Sequence, residues 1–223
     1  FPEGPYLRAY TRSMETWLRV ETGQLDRAAL VAADTINEAE RHGFELWRLV
    51  GAHWQAVVDA LAALDADDLD PSDLGAHIAT ITAFLDTLRT IEANIYTTVF
   101  DGVLGRLLIA AGRPEAARER LDTGLALAQD TGMCFYDAEL LRVRAQTHDH
   151  LAARQADINA ALELARRQGA TLFELRAALD DFELRGEPVS AAVADAAKRI
   201  PANSAWPELA RAQAALPEQS QRT

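Results

Sequence analysis

The 223-residue chain is rich in Ala, 49% hydrophobic and formally charged at −12. A chain of this length and apolarity has enough material for a continuous core, which excludes general disorder, and its acidic balance repels phosphate backbones, which excludes direct nucleic-acid binding. The apolar runs are broken by Arg, Asp or Glu before the roughly 18 residues of a membrane span, and the one cysteine, Cys134, has no second thiol to pair with, which suits a reducing cytoplasm.

Taken in chain order, apolar residues recur at helical spacing throughout, as in Leu46, Val50, Trp54, Val57, Leu61 and Leu64. The pattern predicts helices over 5–22, 25–42, 44–64, 72–92, 95–111, 114–131, 134–148, 152–168, 171–185 and 188–199, with a short one over 206–216. Gly23, Gly43, Gly112, Gly132 and Gly186 stand where these runs end, as a left-handed terminating residue requires. Pro114 and Pro188 open the helices that follow, where the missing N–H is no loss. Between Leu64 and Ala76 lies an acidic connection, DADDLDPSDLG. A calcium loop would need Gly at its sixth place and Glu at its twelfth. Asp70 and Ala76 stand there instead, so the stretch reads as a capped, solvated loop with Asp70 as N-cap.

The glycines also set a repeat. From Gly112 to Asp149 to Gly186 each step is about 37 residues, near the 34-residue period of helix-turn-helix arrays. In that register Leu121 meets Ile158, Leu125 meets Leu162, Ala128 meets Ala165 and Gly132 meets Gly169; an earlier unit places Gly23 and Gly43 opposite Gly112 and Gly132. A helical hairpin cannot bury apolar stripes on both of its helices, so neighbours must stack. The expected fold is all-α: a single domain over 1–223, built as a right-handed superhelical array of about five antiparallel hairpins. Its second repeat is irregular, with the acidic loop at 65–73, and a capping segment spans 200–217.

GMCFYDAELLRVRAQ, followed by INAALELARRQGATLFELRAAL, resembles the tetratricopeptide-type tail of large bacterial signalling proteins. In those proteins a class III adenylate or guanylate cyclase module, or a LuxR-type DNA-binding module, is joined to a P-loop signalling ATPase and a helical-repeat region. The resemblance rests on Gly132, Phe135, Tyr136, Glu139, Leu140, Leu141 and Arg142, then on Ala161, Leu162, Ala165, Arg166, Gly169 and Glu174 to Ala178. It covers roughly 112–185; the ending KRIPANSAWPELARAQAAL departs from it. It implies a sensory or scaffolding arm, and a chain beginning at Phe1 is expected to be a piece of a longer polypeptide.

Candidate site residues follow. Arg8, Arg12, Glu15 and Arg19 fall on one side of the first helix and could form a guanidinium ladder for an acidic peptide or phosphate. Tyr6, Tyr10, Trp17, Trp47 and Trp54 cluster early, with at least three of the five expected in the core. Arg8, Arg12, Arg19, Trp17, Trp47, Trp54, Glu139 and Arg142 are the residues expected on the concave wall. No catalytic residue, cofactor or metal is expected: THDHL offers His148 and His150 without further ligands, and Cys134 has no adjacent base. Asp180, Asp181 and Glu183 read as a solvated face. The expected function is a non-catalytic interaction and sensor domain in the cytoplasm, docking upstream cyclase or ATPase domains or a partner peptide, with a second copy of the chain as a further partner. The alternative is a receptor domain for a small-molecule effector.

Overall fold

Six glycines mark the chain's punctuation in a computed structural model that describes residues 4–66, 69–186, 190–201 and 203–216. Gly23, Gly43, Gly112, Gly132, Gly169 and Gly186 all take positive φ, between 66° and 74°, at helix ends. In that left-handed region a side chain is strained, so the expected stops are used as stops.

The helices are α1 (Pro5–Glu21), α2 (Leu25–His42), α3 (Glu45–Leu64), α4 (Leu74–Thr90), α5 (Thr97–Ala110), α6 (Pro114–Thr131), α7 (Asp137–Ala145), α8 (Leu151–Gln168), α9 (Thr171–Arg185), α10 (Ser190–Lys198) and α11 (Pro207–Ala215). No strand occurs among the described residues. Where longer helices are expected from 72, 95 and 134, the first turn is instead 3-10, at Pro71–Asp73, Asn94–Tyr96 and Cys134–Tyr136. Tightened i to i+3 bonds satisfy donors that lack an α-helical partner at a helix start.

Contacts divide the chain into two compact units, Phe1–Glu92 and Ala93–Thr223, where the sequence reads as a single repeat domain. Glu92 itself takes φ 55°, the one non-glycine in the left-handed region among the described residues. In the first unit α1, α2 and α3 pack against one another and α4 lies on α3. In the second, sequence neighbours pair from α5 to α11, and odd helices also touch: α5 with α7, α7 with α9, α9 with α11.

Packing follows the repeat register. Ala28, Ala32, Thr35 and Ala39 are buried on α2; Ala117, Leu121, Gly124 and Ala128 hold the same places before the closing glycine on α6, and Ile158, Ala161 and Ala165 do so on α8. Small side chains at these crossings let helix axes approach closely, which explains the Ala-rich composition. Around α9 the core continues through Leu175, Leu179, Val193, Ile200 and Ala212. No helix among the described residues is long and apolar enough to cross a membrane.

Candidate functional site

Helix α1 presents two rows. Tyr6 and Tyr10 face the start of α3, while Arg8 and Arg12, each two residues on, face α2. There they meet Glu38, which is buried. Arg8 donates to Glu38 Oε1 from Nε at 3.0 Å and Nη2 at 2.7 Å; Arg41 donates from Nη1 to Oε2 at 3.0 Å. Arg12 Nη1 lies 3.7 Å from Oε2 and His42 Nε2 3.7 Å from Oε1. The Arg8 hydrogen bonds lower the Glu38 pKa, burial raises it, and the charges of Arg8, His42 and Arg12 tip the balance downward. One carboxylate accepts about four hydrogen bonds. The side chains of Arg8, Arg12 and Arg41 around it stay partly in water.

An aromatic row joins this cluster at His42. Phe44 stacks on the imidazole at 5.5 Å, Tyr6 meets Phe44 edge-on at 5.3 Å, and Trp47 takes both Tyr6 and Tyr10 edge-on at 5.7 Å. Tyr6 is 54% exposed, and Leu7 and Leu46 are also open to solvent.

Several expected site residues lie elsewhere. Trp47 and Trp54 are 4% and 0% exposed, so they build the core instead of lining a groove; Trp54 Nε1 donates to Ser13 Oγ at 3.1 Å. Of the five aromatics these two are buried, one short of the expected three: Tyr10 and Trp17 are half-buried. Trp17 Nε1 donates to Glu21 Oε1 at 3.1 Å along its own helix. The guanidinium ladder splits, because Arg19 turns to Glu15 through Nε at 2.9 Å and Nη2 at 2.8 Å while Arg8 and Arg12 converge on Glu38.

Glu139 and Arg142, expected on an open wall, are 2% and 9% exposed in the second unit. Arg142 grips Glu139 with Nε at 2.8 Å and Nη2 at 2.7 Å and donates Nη1 to Asp180 at 2.7 Å. Arg176 Nη1 lies 3.4 Å from Glu139, Arg176 Nε donates to Glu208 at 2.7 Å, and Arg211 reaches Glu183 at 2.6 Å. The i,i+3 spacing on α7 brings the first pair together; packing of α7, α9 and α11 extends it into a ladder. Burial alone would raise the Glu139 pKa, but the charges of Arg142 and Arg176, the Arg142 hydrogen bonds and the Arg106 charge hold it down at about 2. Asp180 and Asp181 are therefore not a solvated face. Both are buried, Asp180 against Arg142 and Asp181 against Arg185 and Gln155.

The remaining polar candidates are engaged locally. His148 Nε2 lies 2.8 Å from Asp157, which also receives Arg144 at 2.8 and 2.6 Å. The Cys134 thiol donates to the Ala128 carbonyl at 3.3 Å, and burial together with the Asp137 charge pushes its pKa up, away from a nucleophilic thiolate. The Ser72 N–H donates to Asp70 Oδ1 at 2.9 Å, the N-cap expected there; Asp67 and Asp68 of the acidic stretch lie outside the described residues. Compared with protein-family models, curated proteins and solved structures, the chain matches none.

Proposed function

We propose that the chain is a non-catalytic interaction and sensor arm of a multidomain signalling protein of the cyclase or ATP-dependent regulator kind. It is a tetratricopeptide-like helical array that docks an acidic protein segment beside α1 and α2. One observation carries this reading: Arg8, Arg12, Arg41 and His42 surround the single carboxylate of Glu38 and adjoin an aromatic row. The acidic side chains of a docked segment would meet the partly exposed guanidiniums of Arg12 and Arg41, and its apolar side chains would meet Tyr6, Leu7 and Leu46. A basic patch on a chain of net charge −12 also gives an acidic partner one place to land. The register shared by α2, α6 and α8 supports the repeat architecture.

Selection of a displayed random peptide library against the chain tests the proposal. Enriched sequences should combine Asp or Glu with an aromatic or Leu, and their affinity should fall with salt. Each of Arg12→Glu and Arg41→Glu should weaken them about tenfold, roughly 1.4 kcal/mol. Enrichment of neutral peptides, or affinity indifferent to both charge reversals, would overturn it.

A further inference from the structure

Helices α8, α9 and α10 line a cleft of about 530 Å³ in the second unit, within the roughly 300–1,000 Å³ of small-molecule sites. On α8, Leu162 and Glu163 stand four and three residues before Arg166, so the three share one helix face. Asp181 and Arg185, one turn apart, come from α9. Ala191, in the first turn of α10, is short and exposed, and leaves the space open on that side.

The cleft holds both signs of charge and an apolar wall. Asp181, 1% exposed, accepts from Gln155 Nε2 at 2.8 Å and from Arg185 Nε at 2.7 Å, and so fixes where the Arg185 guanidinium lies. Arg166 is steadied in the same way by Glu174, to which its Nε donates at 2.9 Å. Both arginines keep about half of their side chains in water. Glu163 stands at the exposed rim beside Arg167, one turn along α8; an exposed pair of that spacing holds its members weakly. Leu162, buried in the core, supplies the apolar surface. Two acids and two guanidiniums leave the lining with no net formal charge.

We propose that this cleft binds a free α-amino acid with an apolar side chain. The carboxylate would meet Arg166 and Arg185, the ammonium would meet Glu163, and the side chain would lie on Leu162 and Ala191. A simple anion would bring its charge to Glu163 and Asp181 with no cation of its own to answer them, and a simple cation would face two guanidiniums. A zwitterion answers both signs at once. The site belongs to the second unit and does not rest on the reading of α1 and α2.

Titration of the whole chain with L-leucine or L-methionine, followed by methyl NMR, tests the site. The Leu162 and Ala191 methyl resonances should shift saturably in the micromolar to millimolar range. Isocaproate keeps the leucine side chain and carboxylate without the ammonium, and isoamylamine keeps the side chain and ammonium without the carboxylate. Each should bind at least about tenfold more weakly than leucine, a comparison that needs no variant to fold. Ala191→Phe fills the cleft from its exposed edge and should abolish the Leu162 shift. Arg166→Gln and Glu163→Gln should each weaken leucine about tenfold. No saturable shift with either amino acid, equal binding of isocaproate or isoamylamine, or undiminished binding to Ala191→Phe would overturn the site.

Discussion

In Phe1–Glu92 the fully buried large side chains are Trp54, Leu74, Ile81, Leu85 and Leu88, and the guanidiniums of Arg8, Arg12 and Arg41 stay partly in water around Glu38. In Ala93–Thr223 the cation–anion ladder of Arg142, Glu139, Asp180, Arg176 and Glu208 is drawn inside, next to Leu140 and Leu175. Both units use the same helix ruler, yet one is specified mainly by shape and the other also by charge. Apolar packing tolerates exchange among side chains of similar volume. A buried ion-pair ladder does not, since removing one member leaves the others unpaired in a medium that solvates them poorly.

Truncation should expose that contrast, beginning with the largest effect. Trp54→Ala removes a fully buried indole of the first unit and its Ser13 hydrogen bond, and should cost about 4 kcal/mol in denaturant unfolding. In the second unit Glu139→Ala should cost about 3 kcal/mol by leaving Arg142 and Arg176 short of a partner. Replacing Glu139, Arg142 and Asp180 together by apolar residues of similar volume should recover most of that loss. If the triple variant is worse than Glu139→Ala, the ladder contributes net stability and the contrast between the units is one of energy as well as specificity.

Acid separates the units next. His53 is buried against the ring of Phe84 at 4.8 Å, and burial pushes its pKa from 6.5 down to about 3. The unfolded chain therefore takes up a proton below pH 6.5 that the folded first unit refuses, so stability present above 6.5 is lost as pH falls. The loss should be about 2–3 kcal/mol between pH 6.5 and 4.5, and His53→Phe should flatten it. Glu139 has the opposite origin: its folded pKa lies below the unfolded 4.5, so its contribution is complete above 4.5 and is lost as pH falls toward 2. Urea midpoints measured from pH 7 to 3 should show His53→Phe changing the slope from pH 6.5 downward and Glu139→Gln changing it only below about pH 4.5; a Glu139→Gln effect on the slope above pH 5 would refute the division.

The smallest effect belongs to an exposed pair. Arg48 donates to Glu45 at 3.0 and 2.9 Å on the surface of α3, and Arg48→Ala should change stability by less than about 0.5 kcal/mol. A larger loss would show that the Arg48 side chain packs against α3 as well as pairing with Glu45.

Much of the fold is legible in the chain because its cues are local. Helical spacing, Pro at the first turn of α6 and glycine at the ends of α2, α6 and α8 each act within a few residues, and the elements fall close to the expected limits. The site is less legible. Arg8 and Glu38 are thirty residues apart, Arg142 and Asp180 thirty-eight, and no periodicity in either partner announces the other. Trp47 and Trp54 resemble groove anchors in sequence because an aromatic ring serves a core and a docking face equally well; only the position of α1 against α3 assigns them to the core.

By itself, then, the amino-acid sequence determined the all-helical class, the limits of the helices and the register of buried small residues in α2, α6 and α8. Hydrogen-bond closure within a helix and its termination are short-range events governed by neighbouring side chains. Only the tertiary structure decided which charges are buried and which partners they meet. That outcome depends on helices distant in sequence arriving face to face, and on a low-dielectric interior in which each unmatched charge is costly.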